Sequence, residues 1–88
     1  MNKATKWNDV SFIISSEYRR KVLAALENPK IPSKLSKELN INKAHISRAL
    51  KELKSRKIVK CLTPDSNKGK LYIISNYGKE ILKEVSRL

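Results

Sequence analysis

Apolar positions along this chain recur with two different periods, and the change of period separates helices from a hairpin. After Asn42, a preferred helix N-cap, Ile46, Ala49, Leu50 and Leu53 return at spacings of three and four, the stripe of an amphipathic helix. Upstream, Ser15 and Ser16 before Glu17 predict a helix start, and Tyr18, Val22, Ala25 and Leu26 face inward with Leu23 at the margin. Asn28-Pro29 is its stop signal, which ends the helix at about Glu27. Pro32 opens a short helix running to Leu39, because proline suits a first helical position whose N–H has no partner; Leu35 and Leu39 point inward. Asn40 is expected to take the left-handed turn before the next helix.

Beyond Arg56 the period shortens. Residues 58–63 and 70–74 are β-branched and apolar, and Pro64-Asp65-Ser66-Asn67-Lys68-Gly69 between them is dense in turn formers, a β-hairpin with a six-residue tip. Ser75 then caps a last helix lined on one side by Tyr77, Ile81, Leu82, Val85 and Leu88, an apolar face with room for a partner subunit. Residues 10–14 are apolar but too few to distinguish strand from helix, and residues 1–8 show no periodicity around Trp7. The expected organisation is a tail over 1–10, anchored by Trp7 on a core or subunit interface, and one α+β, mainly helical domain over 11–88. Two helices joined by a tight turn, the second basic on its outer face, make a helix-turn-helix.

Eighty-eight residues allow one small domain and no second. Cys61 is the only cysteine, so no disulfide forms within the chain and a reducing, cytoplasmic setting is expected. No apolar run approaches the ~20 residues of a membrane span and no signal-peptide pattern is present, so no membrane association is expected. Charge changes the picture most. The net charge is +12, and residues 28–62 hold ten basic side chains against Glu38 and Glu52. So uneven an excess points to a polyanionic partner. One histidine, one cysteine and scattered acids offer no convergent acid–base pair or metal site, so neither an enzyme, a metal nor a cofactor is expected.

The outer face of the helix after Asn42 carries Ala44, Ser47, Arg48, Lys51 and Ser55, flanked by Lys43, His45 and Lys54, with Glu52 as its only acid. Its first two turns lack the carboxylate that the helix dipole favours, which fits an anion supplied by another molecule, a DNA phosphate backbone being the commonest. Arg19 falls within an apolar stripe. Either its methylenes run along the core with the guanidinium lifted to solvent or a carbonyl, or it contacts a phosphate.

Helix, helix, helix, hairpin, helix, with a basic third helix, resembles the winged-helix transcription regulators of the MarR and ArsR type, especially their short single-domain archaeal forms. The likeness covers about residues 11 to 85. Arg19-Arg20-Lys21-Val22-Leu23 is similar to the family's Arg-x-x-Ile-Leu, and Leu35-Ser36-Lys37-Glu38-Leu39-Asn40-Ile41 to its Leu-Ala-x-x-Leu-Gly-Ile. Ile46-Ser47-Arg48-Ala49-Leu50-Lys51-Glu52-Leu53 resembles the recognition helix, and Leu62-Thr63-Pro64 through Lys68-Gly69-Lys70-Leu71-Tyr72 the wing. The resemblance implies that Ser47, Arg48 and Lys51 touch DNA and that the protein acts as a homodimer, here through the N-terminal segment and C-terminal helix. Asn40 and Lys57 stand where the family often has glycine. Lys57 therefore predicts a recognition helix that runs on or ends without a left-handed cap. ArsR-type metal sensing needs a ligand cluster that Cys61 and His45 do not make, and Cys61 is most simply a small apolar strand residue.

The function expected is sequence-specific binding of double-stranded DNA by a transcription regulator. Recognition helix 43–56 enters the major groove, and wing 63–70 meets the backbone or minor groove. Arg48 is placed to contact guanine, Ser47 and His45 a base or phosphate, and Ala44 a thymine methyl. Lys43, Lys51 and Lys54 suit phosphates. Lys68 and Lys70 either brace the wing on DNA or keep a two-stranded edge soluble. The alternatives are a winged-helix protein-interaction module of a transcription or replication assembly, and a non-specific architectural binder of nucleic acid, including RNA.

Overall fold

In the computed structural model, residues 3–88 are described, with side chains from Lys6 onward. The order is α1 (Lys3–Ile14), α2 (Glu17–Ala25), α3 (Pro32–Leu39), α4 (Lys43–Ser55), β1 (Val59–Cys61), β2 (Tyr72–Ile74) and α5 (Asn76–Ser86).

Local chemistry sets the helix ends. The Ser16 side chain accepts the Arg19 N–H at the start of α2, Pro32 begins α3, and the Asn42 carboxamide accepts the Ala44 N–H at 2.8 Å to open α4. Asn40 adopts φ 54° between α3 and α4, as its short polar side chain allows. The Ile41 N–H then bonds the Ser36 carbonyl, while the Ser36 hydroxyl donates to the Ile41 carbonyl at 2.6 Å. With the turn closed in both directions, the inner stripe of α4 is held against α2 and α3. Ile46, Ala49, Leu50 and Leu53 are all buried, together with Val22, Leu23, Leu26 and Leu35.

The structure departs from the sequence expectations in four places. Residues assigned to a tail form α1 from Lys3, and its Asp9, Val10 and Ile13 are buried where α1 packs on α5 and α2. The helical stripe escapes notice because an acid occupies one inward position, while Trp7 and Ile14 point outward at 54% and 49% exposure. In α2, Tyr18 lies outside the core at 43% exposure, and Leu23, assigned to the margin, is fully buried; the helix ends at Ala25, with Leu26 as its cap. The strands are three residues each, shorter than the apolar runs. Beyond the Cys61–Tyr72 pair, Leu62 N–H still bonds the Leu71 carbonyl, but the Leu71 N–H turns to the Thr63 hydroxyl at 2.9 Å, and the regular ladder stops.

The fourth concerns Lys57. Helix α4 does not run on: Lys57 itself takes the left-handed conformation, φ 62°, and its N–H bonds the Lys54 carbonyl while Ile58 N–H bonds that of Leu53. This is the hydrogen-bond pattern of a glycine-type helix stop made by a residue with a Cβ, at a cost of about 1–2 kcal/mol. The Ser75 hydroxyl, which caps α5 by accepting the Gly78 N–H at 2.9 Å, lies 2.7 Å from the Lys57 carbonyl and 2.8 Å from that of Ile58. One serine thus ties the end of α4 to the start of α5.

Strands β1 and β2 pair antiparallel, Val59 with Ile74, Lys60 with Ile73 and Cys61 with Tyr72. The segment after α2 adds a bridge on the other edge of β2, where Lys30 and Tyr72 exchange both N–H···O bonds at 3.0 and 2.9 Å. Nothing in the apolar pattern marks that bridge, since its bonds are made by backbone alone. Among the described residues, no helix is long and apolar enough to cross a membrane.

Candidate nucleic-acid interface

Helix α4 presents the predicted face. Lys43, Ala44, His45, Ser47, Arg48, Lys51 and Lys54 are all exposed, as are Lys68 and Lys70 in the loop between the strands. Burial of Ile46, Ala49, Leu50 and Leu53 determines which way these side chains point.

Ion pairing decides which cations remain available to a partner. Lys30 is taken up by Glu38 at 2.7 Å and Arg56 by Asp9 at 2.8 Å. Glu52, the one acid of α4, pairs with Arg19 at 2.9 Å. Both acids of the 28–62 region are therefore already engaged. Its other eight cations, Lys34, Lys37, Lys43, Arg48, Lys51, Lys54, Lys57 and Lys60, are exposed with no carboxylate within 4.0 Å among the described residues. Unlike an interleaved solvated surface, this one keeps a field of a single sign.

Arg19 resolves to its internal reading: the guanidinium donates to the Phe12 carbonyl at 3.1 Å as well as to Glu52. Arg19 and Arg56 each lie 3.8 Å from the centroid of the Phe12 ring, which joins α1 to α2 and to the end of α4 through cation–π contact. Both guanidiniums are thus engaged within the chain, Arg19 with Glu52 and Arg56 with Asp9.

Tyr18 is the residue that sequence reasoning missed. Its ring stacks on His45 at 4.8 Å between centroids and 29° between planes, beside Arg48, in a recess of about 320 Å³ between α2 and α4. Its helical spacing with Val22 is indistinguishable from that of a core residue, so no signal in the chain would have found it. Two tyrosines away from this face have displaced acidities. Burial pushes the Tyr72 hydroxyl up, with the charge of Cys61 adding to the effect. Burial also raises Tyr77, to about 12, reinforced by the hydrogen bond it donates to Asp9. Cys61 is a free, half-buried thiol on β1. No group of three or more His, Cys, Asp or Glu able to hold a metal occurs among the described residues.

No protein-family model and no curated protein matches the sequence. Solved structures do. A variant of MarR from E. coli complexed with operator DNA is 23% identical, with a TM-score of 0.75 over 97% of this chain and 63% of that one. The fold is a winged helix. A MarR family transcription regulator, SP03579, superposes with a TM-score of 0.72 at 20% identity over 82% of this chain and 50% of its own. The transcriptional regulator Tm0710 from Thermotoga maritima gives 0.72 at 19% identity over 97% and 62%. This winged helix therefore spans between half and two-thirds of the length of those regulators.

Proposed function

We propose that the chain is a sequence-specific, double-stranded-DNA-binding transcription regulator whose helix α4 enters the major groove, with the loop between β1 and β2 on the backbone or in the minor groove. The observation that carries this reading is the exposed face of α4, whose cations have no internal carboxylate partner while both nearby acids are engaged elsewhere. The operator DNA bound by the E. coli neighbour supports it by analogy of fold. In this reading Arg48 meets a guanine edge, Ser47 and His45 a base or phosphate, and Ala44 a thymine methyl, while Lys43, Lys51 and Lys54 neutralise phosphates. Tyr18 joins the set by holding the His45 ring in place. Lys68 and Lys70 contact the backbone beside the main groove.

The protein acts as a homodimer through α1 and α5. Supporting this are Trp7 and Leu88, 54% and 72% exposed, and the apolar side chains Leu82 and Val85 lining a groove beside α2.

Selection of duplexes from a random pool, followed by salt-dependent binding of the selected and a random duplex, tests the reading. A regulator selects a palindrome, prefers it by at least ~10³, and loses affinity with a slope of about −0.9 per phosphate contacted. Equal affinity for both duplexes would instead identify an architectural binder, and no binding at low salt a protein-interaction module.

A further inference from the structure

We propose that Lys54, Lys57 and Lys60 form a second phosphate-binding pole at the far end of α4, in the recess between that helix and the base of the wing. The inference rests on the reading of the chain as a binder of duplex DNA. The recess, about 400 Å³, is lined by these three lysines with Val59, Cys61, Pro64 and Ser75, and no acid lines it. All three lysines are exposed, and none has a carboxylate within 4.0 Å among the described residues.

Two observations separate this cluster from ordinary surface lysine. The first is the backbone of Lys57, held at φ 62° by its own N–H on Lys54, the Ile58 N–H on Leu53 and the Ser75 hydroxyl at its carbonyl. Glycine takes that conformation without a Cβ clash, so lysine keeps a charge there against the local conformational preference. The second is reach. The dipole at a helix C-terminus favours cations only within the last turn, which covers Lys54 but not Lys60 on β1.

The spacing also assigns the role. At about 1.5 Å per residue, Lys54 lies roughly 16 Å along the axis from Lys43, about three turns beyond the residues that start the helix. When the first turns of α4 lie among base edges, the far end meets sugar–phosphate backbone, so the cluster adds affinity without sequence preference.

Lys57→Gly tests this because its two effects have opposite signs. The variant is expected to melt higher by roughly 4 °C, through relief of the left-handed strain. It should also bind the selected and a random duplex on the order of tenfold more weakly at ~0.1 M salt, with a salt slope shallower by about 0.9. Weaker binding by a more stable protein cannot come from misfolding. Lys60→Ala, at an exposed strand position, should lose the same slope increment. Wild-type affinity and slope in both variants, measured by fluorescence anisotropy on duplexes that the parent protein binds, would overturn the proposal. Failure of the parent protein to bind any duplex at low salt overturns the underlying reading instead, and is told apart by that measurement alone.

Discussion

Gly78 shows how much one missing carbon can decide. A Cβ there would lie 2.0 Å from the Ile58 carbonyl oxygen and 2.8 Å from Ile74 Cγ1. Glycine lets the first turn of α5 sit directly on the junction of α4 and β1, where Ser75 makes its bonds. Helix propensity alone favours alanine by about 1 kcal/mol. Overpacking against a backbone carbonyl outweighs it, so Gly78→Ala is expected to lower stability by about 3 kcal/mol, read as a lower urea midpoint with an unchanged slope. A neutral or stabilising result would mean that α5 shifts freely on the sheet. Lys57 and Gly78 meet at the same junction but are constrained differently, Lys57 by a left-handed backbone and Gly78 by the space that a Cβ would need. In the sequence, 57 reads only as a departure from glycine, and nothing in the pattern around 78 marks its approach to Ile58.

Among the elements, α1 was the least legible and is among the most strongly tied. Asp9, 5% exposed, accepts the guanidinium of Arg56 at the end of α4 and the hydroxyl of Tyr77 in α5, and Phe12 lies between two arginines. Polar residues therefore do at this corner what apolar stripes do elsewhere, and a search for apolar periodicity passes over them. The tie predicts a pH dependence. Burial and the Asp9 carboxylate favour the neutral phenol in the folded chain and push Tyr77 up from an ordinary 10.0 to about 12. The folded-state value is raised, so its contribution to stability is complete below about pH 10 and is lost as the pH climbs toward 12. Urea midpoints measured at about pH 9 and about pH 11 should fall less in Tyr77→Phe than in the parent protein. Equal falls would show that the phenol is not coupled to the tie. The helices α2, α3, α4 and α5 were easier, each having a cap or proline at its start and an apolar stripe, although Tyr18 and Leu23 exchanged their expected faces.

At the scale of the whole molecule, the arrangement of charge matters more than its total. Of the +12 overall, the part that faces outward around α4 is the part left after Asp9, Glu38 and Glu52 have engaged Arg56, Lys30 and Arg19. The proposed function divides labour across that surface. Arg48→Ala is expected to cost about 1–3 kcal/mol on the selected duplex and to flatten discrimination there, whereas Lys51→Ala weakens selected and random duplexes alike and reduces the salt slope by about 1. Binding curves for both variants on both duplexes check this. Identical behaviour of the two would remove the assignment of base reading to Arg48.

By itself the sequence determined the helix-turn-helix, the hairpin, the left-handed turn at Asn40, a helix start at Ser15 and Ser16, the caps at Asn42 and Ser75, and the basic outer face of α4. All of these rest on interactions within a few residues, or on a periodicity that one element displays alone. Tertiary structure decided the rest: the burial of α1, the Lys30–Tyr72 bridge, the outward turn of Tyr18 onto His45, the left-handed Lys57, and which cations remain unpaired. Most depend on a partner far away in the chain, Asp9 with Arg56 or Arg19 with Glu52, and Lys57 adds the distant Ser75 hydroxyl to the bonds of its own helix end; local pattern carries no information about the partner of a buried charge.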